Sequence, residues 1–257
     1  RHSWNARRLG AGSAVTKDVL LTADPAVDPF HAWPVLYCPS SVTQVIDRLS
    51  ENTHMIEVGS NLGDCTLYFL SKRSNATAVA FEVVPQVAEA MRATLKANNL
   101  DHRCIVVNKA VTTHPGTWML TYHRDKFFNM ATQMNDTNVE QQSQWNLGPY
   151  HGQPLEDNQW TVEAVRLDDE MVRVNNQSHA LGMTPFPQRV NFMRLHVNDN
   201  ELDVLMGGVR TVKITDAIHV NNFHRNIRPP IIDKVKEIDS GFRIDSRQEF
   251  DFFMAAK

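Results

Sequence analysis

The run Met55-Ile56-Glu57-Val58-Gly59-Ser60-Asn61-Leu62-Gly63-Asp64-Cys65-Thr66 constrains this chain more than any other. It begins as a short apolar stretch ending in an acid, passes through a glycine-bearing loop and opens a helix. Ala78-Val79-Ala80-Phe81-Glu82 follows as a second apolar stretch ending in a second acid. Strand, glycine turn, helix, strand and terminal acid make the nucleotide-binding half of a doubly wound α/β fold. The loop then narrows the ligand. A dinucleotide fingerprint would need glycine at positions 59, 61 and 64, whereas the chain has Gly59, Asn61 and Asp64, with its second glycine at Gly63. A pyrophosphate favours bare backbone N–H groups at a helix N-terminus. Glu57, Asn61 and Asp64 around that point repel it and suit a ligand carrying an ammonium and a sulfonium.

S-adenosylmethionine (SAM) is such a ligand. The segment from Glu57 to Thr66, then Phe81-Glu82-Val83-Val84-Pro85, resembles the opening of the FkbM family of SAM-dependent methyltransferases. The likeness continues through Asn98-Asn99-Leu100, Asn108-Lys109-Ala110 and Gly116. It returns at Arg166-Leu167-Asp168-Asp169, at the run from Arg194 to Glu201, and at Val204-Leu205-Met206-Gly207, so it covers roughly residues 50–225. The resemblance implies a Rossmann-like SAM-methyltransferase fold: a mostly parallel doubly wound sheet with a C-terminal antiparallel hairpin.

It also implies roles. Glu57 helps hold the methionyl end of SAM, directly or through water. Gly59 and Gly63 let backbone approach the cofactor without a Cβ. Asn61 offers donor and acceptor to the carboxylate and amine. Glu82 accepts from both ribose hydroxyls. Ala110 packs beside the adenine, or is a plain core alanine. The bland alternative makes Glu57 and Glu82 solvated strand ends. Asp168 and Asp169 are placed on the substrate side, or form a helix N-terminal acid pair that favours the dipole.

The departures from the family matter more. Where it usually carries Lys-Ile-Asp-Val-Glu-Gly, this chain has Arg194-Leu195-His196-Val197-Asn198-Asp199. At the next strand a common acid is replaced by His219, within Ala217-Ile218-His219-Val220-Asn221. Three readings compete. His196 is the general base, its ordinary pKa near ~6.5 suiting neutral pH. Alternatively, His196 and His219 share a metal with Asp168 or Asp199, although no HxH or HExxH spacing supports this. Or the catalytic acids are lost and the scaffold serves assembly. His196 and His219 are therefore the catalytic candidates, and no metal ligands are assigned.

Composition sets outer bounds. The 257 residues make one large domain or one domain with extensions, and 42% hydrophobic content supports a sizeable core. A net charge of -3 gives no general pull toward nucleic acid or anionic membrane. No apolar run is long enough to span a bilayer. The three cysteines, Cys38, Cys65 and Cys104, are far apart, so a disulfide framework is not expected and a reducing compartment is the default. Asn-x-Ser/Thr triplets stand at Asn75, Asn135 and Asn176. The first residues carry Arg1, Arg7, Arg8 and Lys17 with no acid, like the tail of an organellar (mitochondrial) transit sequence or a basic surface arm.

Residues 1–40 read as an irregular arm broken by Pro25, Pro29, Pro34 and Pro39, and residues 41–257 as the methyltransferase-like domain. A helix is expected from Ser40 or Ser41 to about Ser50. Residues 123–160, rich in Asn and Gln, read as a loop inserted over the site mouth, and residues 175–189 as a further loop. Two functions follow. One is SAM-dependent O-methylation of a small molecule or sugar hydroxyl. The other is a catalytically inactive, methyltransferase-like subunit whose partners are the protein chains of a larger assembly.

Overall fold

The computed structural model describes residues 3–5, 20–22, 38–121, 133–136, 159–180, 189–197, 200–221, 228–247 and 251–255. Strands β1 (Ser3–Asn5) and β2 (Leu20–Thr22) form a small antiparallel ladder within the segment read as an arm. The rest of that segment up to Tyr37 lies outside the described residues.

The core follows the alternation expected from the sequence. Helix α1 (Ser40–Ile46) precedes β3 (His54–Val58), α2 (Asp64–Lys72), β4 (Thr77–Phe81), α3 (Pro85–Ala97) and β5 (Cys104–Val107). After a further small sheet come α4 (Leu167–Ala180), β10 (Phe192–Leu195), α5 (Glu201–Gly207), α6 (Val209–Lys213), β11 (Ala217–Asn221) and α7 (Arg228–Ile238). The hairpin β12 (Arg243–Arg247) and β13 (Asp251–Ala255) ends the described chain. The order across the main sheet is β12-β13-β11-β10-β3-β4-β5. Strands β3, β4, β5, β10 and β11 are parallel, and β13 runs antiparallel to both β11 and β12. This is the Rossmann-like methyltransferase architecture expected from the sequence. The chain winds one way from β3 to β5 and the other from β10 to β11. The switch point therefore lies at the carboxyl ends of β3 and β10, where open α/β sheets bind ligands.

Side-chain alternation sorts the core into two layers. Ile56, Val58, Val79, Met193, Leu195, Ile218 and Val220 pack with Leu167, Val174, Val204, Leu205, Ile231 and Val235 of α4, α5 and α7. On the other face Met55, Ala78, Ala80, Phe192 and Ala217 meet Val42, Ile46, Leu67, Phe69, Leu70, Met91 and Leu95 of α1, α2 and α3. Helix α3 shows how sequence sets this. Pro85 is its first residue, where a missing N–H costs nothing, and Val87, Met91, Thr94 and Leu95 form its buried stripe.

A second sheet has the order β6-β9-β7-β8, from β6 (Ala110–Val111), β7 (Gly116–Thr121), β8 (Gln133–Asp136) and β9 (Gln159–Val165). Lys109 clamps it to the core, donating to Glu163 at 2.8 Å and to Glu170 of α4 at 3.0 Å.

Several expectations need correcting. The segment read as one loop over 123–160 contains β8 and the start of β9; its other residues lie outside those described. Residues 175–180, read as loop, continue α4, because Val174 and Ser178 face the core a helical turn apart. Helix α6 was not anticipated. The cysteine reading also fails: Cys38 and Cys65 form a disulfide, with Cα atoms 4.8 Å apart. It ties the segment before α1 to the first turn of α2. Cys104 is a buried free thiol.

Candidate functional site

The glycine loop between β3 and α2 turns through three left-handed residues, Gly59 (φ +79°), Asn61 (φ +52°) and Gly63 (φ +83°). Asn61 tolerates this region better than most residues with a Cβ. The glycines were expected to make room for a cofactor; the structure gives them protein neighbours. A Cβ on Gly59 would stand 1.9 Å from the carbonyl oxygen of His196, and one on Gly63 would meet the Met91 side chain at 2.7 Å. The loop is thus moulded against the end of β10 and against α3.

Glu82 closes the loop from β4. Its Oε2 accepts from the Asn61 N–H at 2.8 Å and its Oε1 from the Val84 N–H at 2.9 Å. Asn108 anchors this strand end by donating to the carbonyls of Glu82 at 2.8 Å and Val83 at 3.0 Å. The Val83 N–H also acts on this carboxylate. A carboxylate has about four acceptor positions, so Glu82 keeps acceptor capacity beyond its backbone partners. The residue is nearly buried, and burial pushes its pKa up to about 7 against the lowering effect of those amides. The alternative of a solvated strand end does not hold for Glu82 or for Glu57.

Glu57 is fully buried and committed to the protein interior. Its Oε1 accepts from Arg194 Nη1 at 2.5 Å, and its Oε2 accepts from the Thr66 N–H at 3.1 Å and the Thr66 hydroxyl at 2.5 Å. Register explains the pairing: Glu57, Arg194 and His219 stand side by side across β3, β10 and β11. Any effect of Glu57 on a methionyl group is therefore indirect, through the α2 N-terminus that it anchors. Thr66 and Arg194 were not assigned roles from sequence. A buried acid at a strand end, with a base expected on the neighbouring strand, was the available signal.

His219 lies within this row, below the mouth of the site. It is buried, and its Nε2 lies 3.3 Å from the Ser41 hydroxyl of α1. His196 stands one residue beyond β10, beside the glycine loop, with its N–H donating to the Val58 carbonyl. Arg194 Nη2 donates to its Nδ1 at 3.1 Å. A guanidinium only donates, so Nδ1 accepts and the ring proton sits on Nε2. Burial, then Arg194, then His219, push the His196 pKa down to about 3. This geometry makes His196 a neutral imidazole with its basic lone pair already engaged, which weighs against the general-base reading.

The remaining sequence candidates fall elsewhere. Asp168 accepts from the backbone N–H groups of Arg210 and Thr211 and from the Thr211 hydroxyl, each at 2.7–2.8 Å. It secures the first turn of α6, and Asp169 is an exposed neighbour of Arg210. Both have structural roles in place of the substrate-side position expected. Ala110 is buried in a small apolar cluster with Val84, Val87, Val162 and Ala164, against which Leu62, Val83 and Trp118 pack with partial exposure. Asn198 and Asp199 lie outside the described residues. Among the described residues no group of three His, Cys, Asp or Glu side chains is arranged to hold a metal.

Two groups of the site therefore push stability in opposite directions with pH. Glu82 binds its proton more tightly folded than unfolded, so its contribution is lost as pH rises from about 4.5 to about 7. His196 binds its proton less tightly folded, so its contribution is lost as pH falls from about 6.5 to about 3. Their slopes offset where the windows overlap. Glu82→Gln should expose a melting temperature that rises with pH there. The His196 imidazole resonances should show no titration above pH ~5; a midpoint near the ordinary ~6.5 would restore the base reading.

No protein-family model matches the chain. "Methyltransferase 1" of Beauveria bassiana is 24% identical over 161 residues, a stretch that spans 61% of this chain and 59% of that relative. Among solved structures, the O-methyltransferase from Bacillus cereus in complex with SAH aligns with TM-score 0.47 and 10% identity, covering 86% of this chain and 82% of that one. The precorrin-6y C5,15-methyltransferase from Geobacter metallireducens aligns with TM-score 0.45 and 11% identity, covering 86% and 90%. TrmK of M. capricolum, bound to S-adenosyl-homocysteine, aligns with TM-score 0.42 and 7% identity, covering 85% and 67%.

Proposed function

We propose that the chain is a SAM-dependent methyltransferase acting on the oxygen of a small-molecule acceptor. The observation that carries this is Glu82, held by the Asn61 and Val84 amides at the switch point with acceptor capacity left over. That arrangement suits a ribose diol. Leu62, Val83 and Trp118, half-covered beside Ala110, offer an apolar wall of the kind an adenine needs. SAM, when bound, supplies an electrophilic methyl group on a sulfonium. The chain's part is then to align the acceptor and exclude water. The net charge of -3 favours a small-molecule acceptor over nucleic acid.

Titration calorimetry with SAM tests this. Hydroxyl donation to Glu82 favours its carboxylate, so binding near pH 7 should release a proton from the fraction of Glu82 that is still protonated. Affinity should fall by up to about tenfold per pH unit below that point. Glu82→Ala should weaken binding by ~1.5–3 kcal/mol, and Glu82→Gln should flatten the pH dependence. Unchanged affinity in Glu82→Ala would remove the assignment.

A second reading, a SAM-binding but non-catalytic subunit of an assembly, is favoured by the engaged Nδ1 of His196. SAM binding without methyl transfer to any class of oxygen acceptor would select it.

A further inference from the structure

We propose that Asn75 carries an N-linked glycan and that the chain matures in an oxidising compartment. Two independent observations support this. The first is the Cys38–Cys65 disulfide. Such bonds form and persist in secretory and extracellular surroundings and are rare where thiols are kept reduced.

The second is the placement of Asn75-Ala76-Thr77, an Asn-x-Thr triplet without proline. Asn75 is exposed in the tight turn between α2 and β4, closed by the Ala76 N–H on the Arg73 carbonyl at 3.3 Å. The turn is held from its inner side. The Arg103 guanidinium donates to the carbonyls of Leu70, Arg73 and Ser74, and Glu51 accepts from the Ser74 N–H and hydroxyl. The turn's polar backbone is thus satisfied within the protein, and Asn75 is left on the solvent side. It precedes β4, whereas Glu82 follows it, so the glycan would stand at the sheet end opposite the candidate site. Asn176 is a poorer acceptor site. It lies within α4, and its triplet's Ser178 is buried, with its hydroxyl on the Val174 carbonyl at 2.9 Å.

Both modifications balance chemically. The Asn75 side-chain nitrogen bonds to the anomeric carbon of a lipid-diphosphate oligosaccharide, losing a proton as the lipid diphosphate leaves. The two thiols pass their electrons and protons to a disulfide oxidoreductase.

The test is peptide mapping of the full-length protein purified from its own source, with free thiols alkylated before any reduction. Peptide-N-glycosidase digestion in heavy-oxygen water should convert Asn75 to labelled aspartate, and the Cys38 and Cys65 peptides should run as one linked species. An unmodified Asn75 overturns the glycan, and alkylated Cys38 and Cys65 overturn the compartment. In a secretory host, Asn75→Gln should remove one glycan-sized step in gel mobility. Thr77→Ser, which keeps a hydroxyl for the triplet and for the 2.7 Å contact with His54, should retain that step. Asn75→Gln with parental mobility would also overturn the proposal.

Discussion

Gly59→Ala is expected to abolish cooperative folding. The added methyl group would lie 1.9 Å from the His196 carbonyl oxygen, 2.8 Å from its carbon and 3.2 Å from a Val197 methyl. These backbone atoms cannot easily withdraw. The His196 N–H is bonded to the Val58 carbonyl at 2.9 Å, and the Gly59 N–H to the Phe81 carbonyl at 3.0 Å. Relief would require separating β10 from β3, the two strands that define the switch point. The left-handed φ of +79° adds about 1–2 kcal/mol for a residue with a Cβ. Together these rival the ~5–15 kcal/mol by which ordinary domains are stable. Gly63→Ala is the control. It has the same backbone penalty, but its clash is with the flexible end of Met91, so it should remain folded. Thermal melts and proteolysis would decide the matter; a Gly59→Ala protein melting within a few degrees of the parent would refute the packing assigned to this glycine.

That contact shows what the sequence could and could not reveal. The strands β3, β4, β5, β10 and β11 were legible because each is a compact apolar run bounded by acids, glycines or polar turns. The hairpin β12–β13 was legible from the resemblance. The glycine loop was legible as a loop, but the partner of Gly59 lies far along the chain, and only the crossover that seats β10 beside β3 brings it near. The same holds for Arg194. His196 stands out in the sequence because it departs from a family pattern, whereas the side chain that engages its Nδ1 is two residues earlier on the same face. Strand β8 was hidden because it comes from an Asn- and Gln-rich segment whose composition reads as loop. The disulfide was hidden because the spacing of Cys38 and Cys65 follows no motif; their proximity arises from packing α1 against α2. Asp168 looked like a site acid because the segment's resemblance to the family outweighed its local use, which is to hold the first turn of α6.

Arg194→Ala is expected to cost ~3–5 kcal/mol of stability, the usual penalty for stripping the partner from a buried charge. Glu57 has no exposed surface, and Arg194 supplies its only cationic partner among the described residues, at 2.5 Å. With the guanidinium gone, the Thr66 N–H and hydroxyl on Oε2 remain, and Oε1 loses its donor. For a chain of this size the melting temperature should fall by roughly 10 °C. Loss of one buried partner differs from loss of both. Glu57→Gln with Arg194→Met replaces the ion pair by neutral side chains of similar volume and leaves no buried charge without its partner, which is the costly part of breaking such a pair. The double variant should therefore be more stable than Arg194→Ala, and the cycle of parent, Glu57→Gln, Arg194→Met and their double variant should be strongly non-additive. The same double variant releases Nδ1 of His196 and removes the nearest positive charge. Its imidazole pKa should rise from about 3 toward the ordinary range, although burial, the first cause of the depression, persists. Additive single effects, or a His196 resonance that does not move, would show that Arg194 fills space without joining Glu57 and His196 into one electrostatic unit.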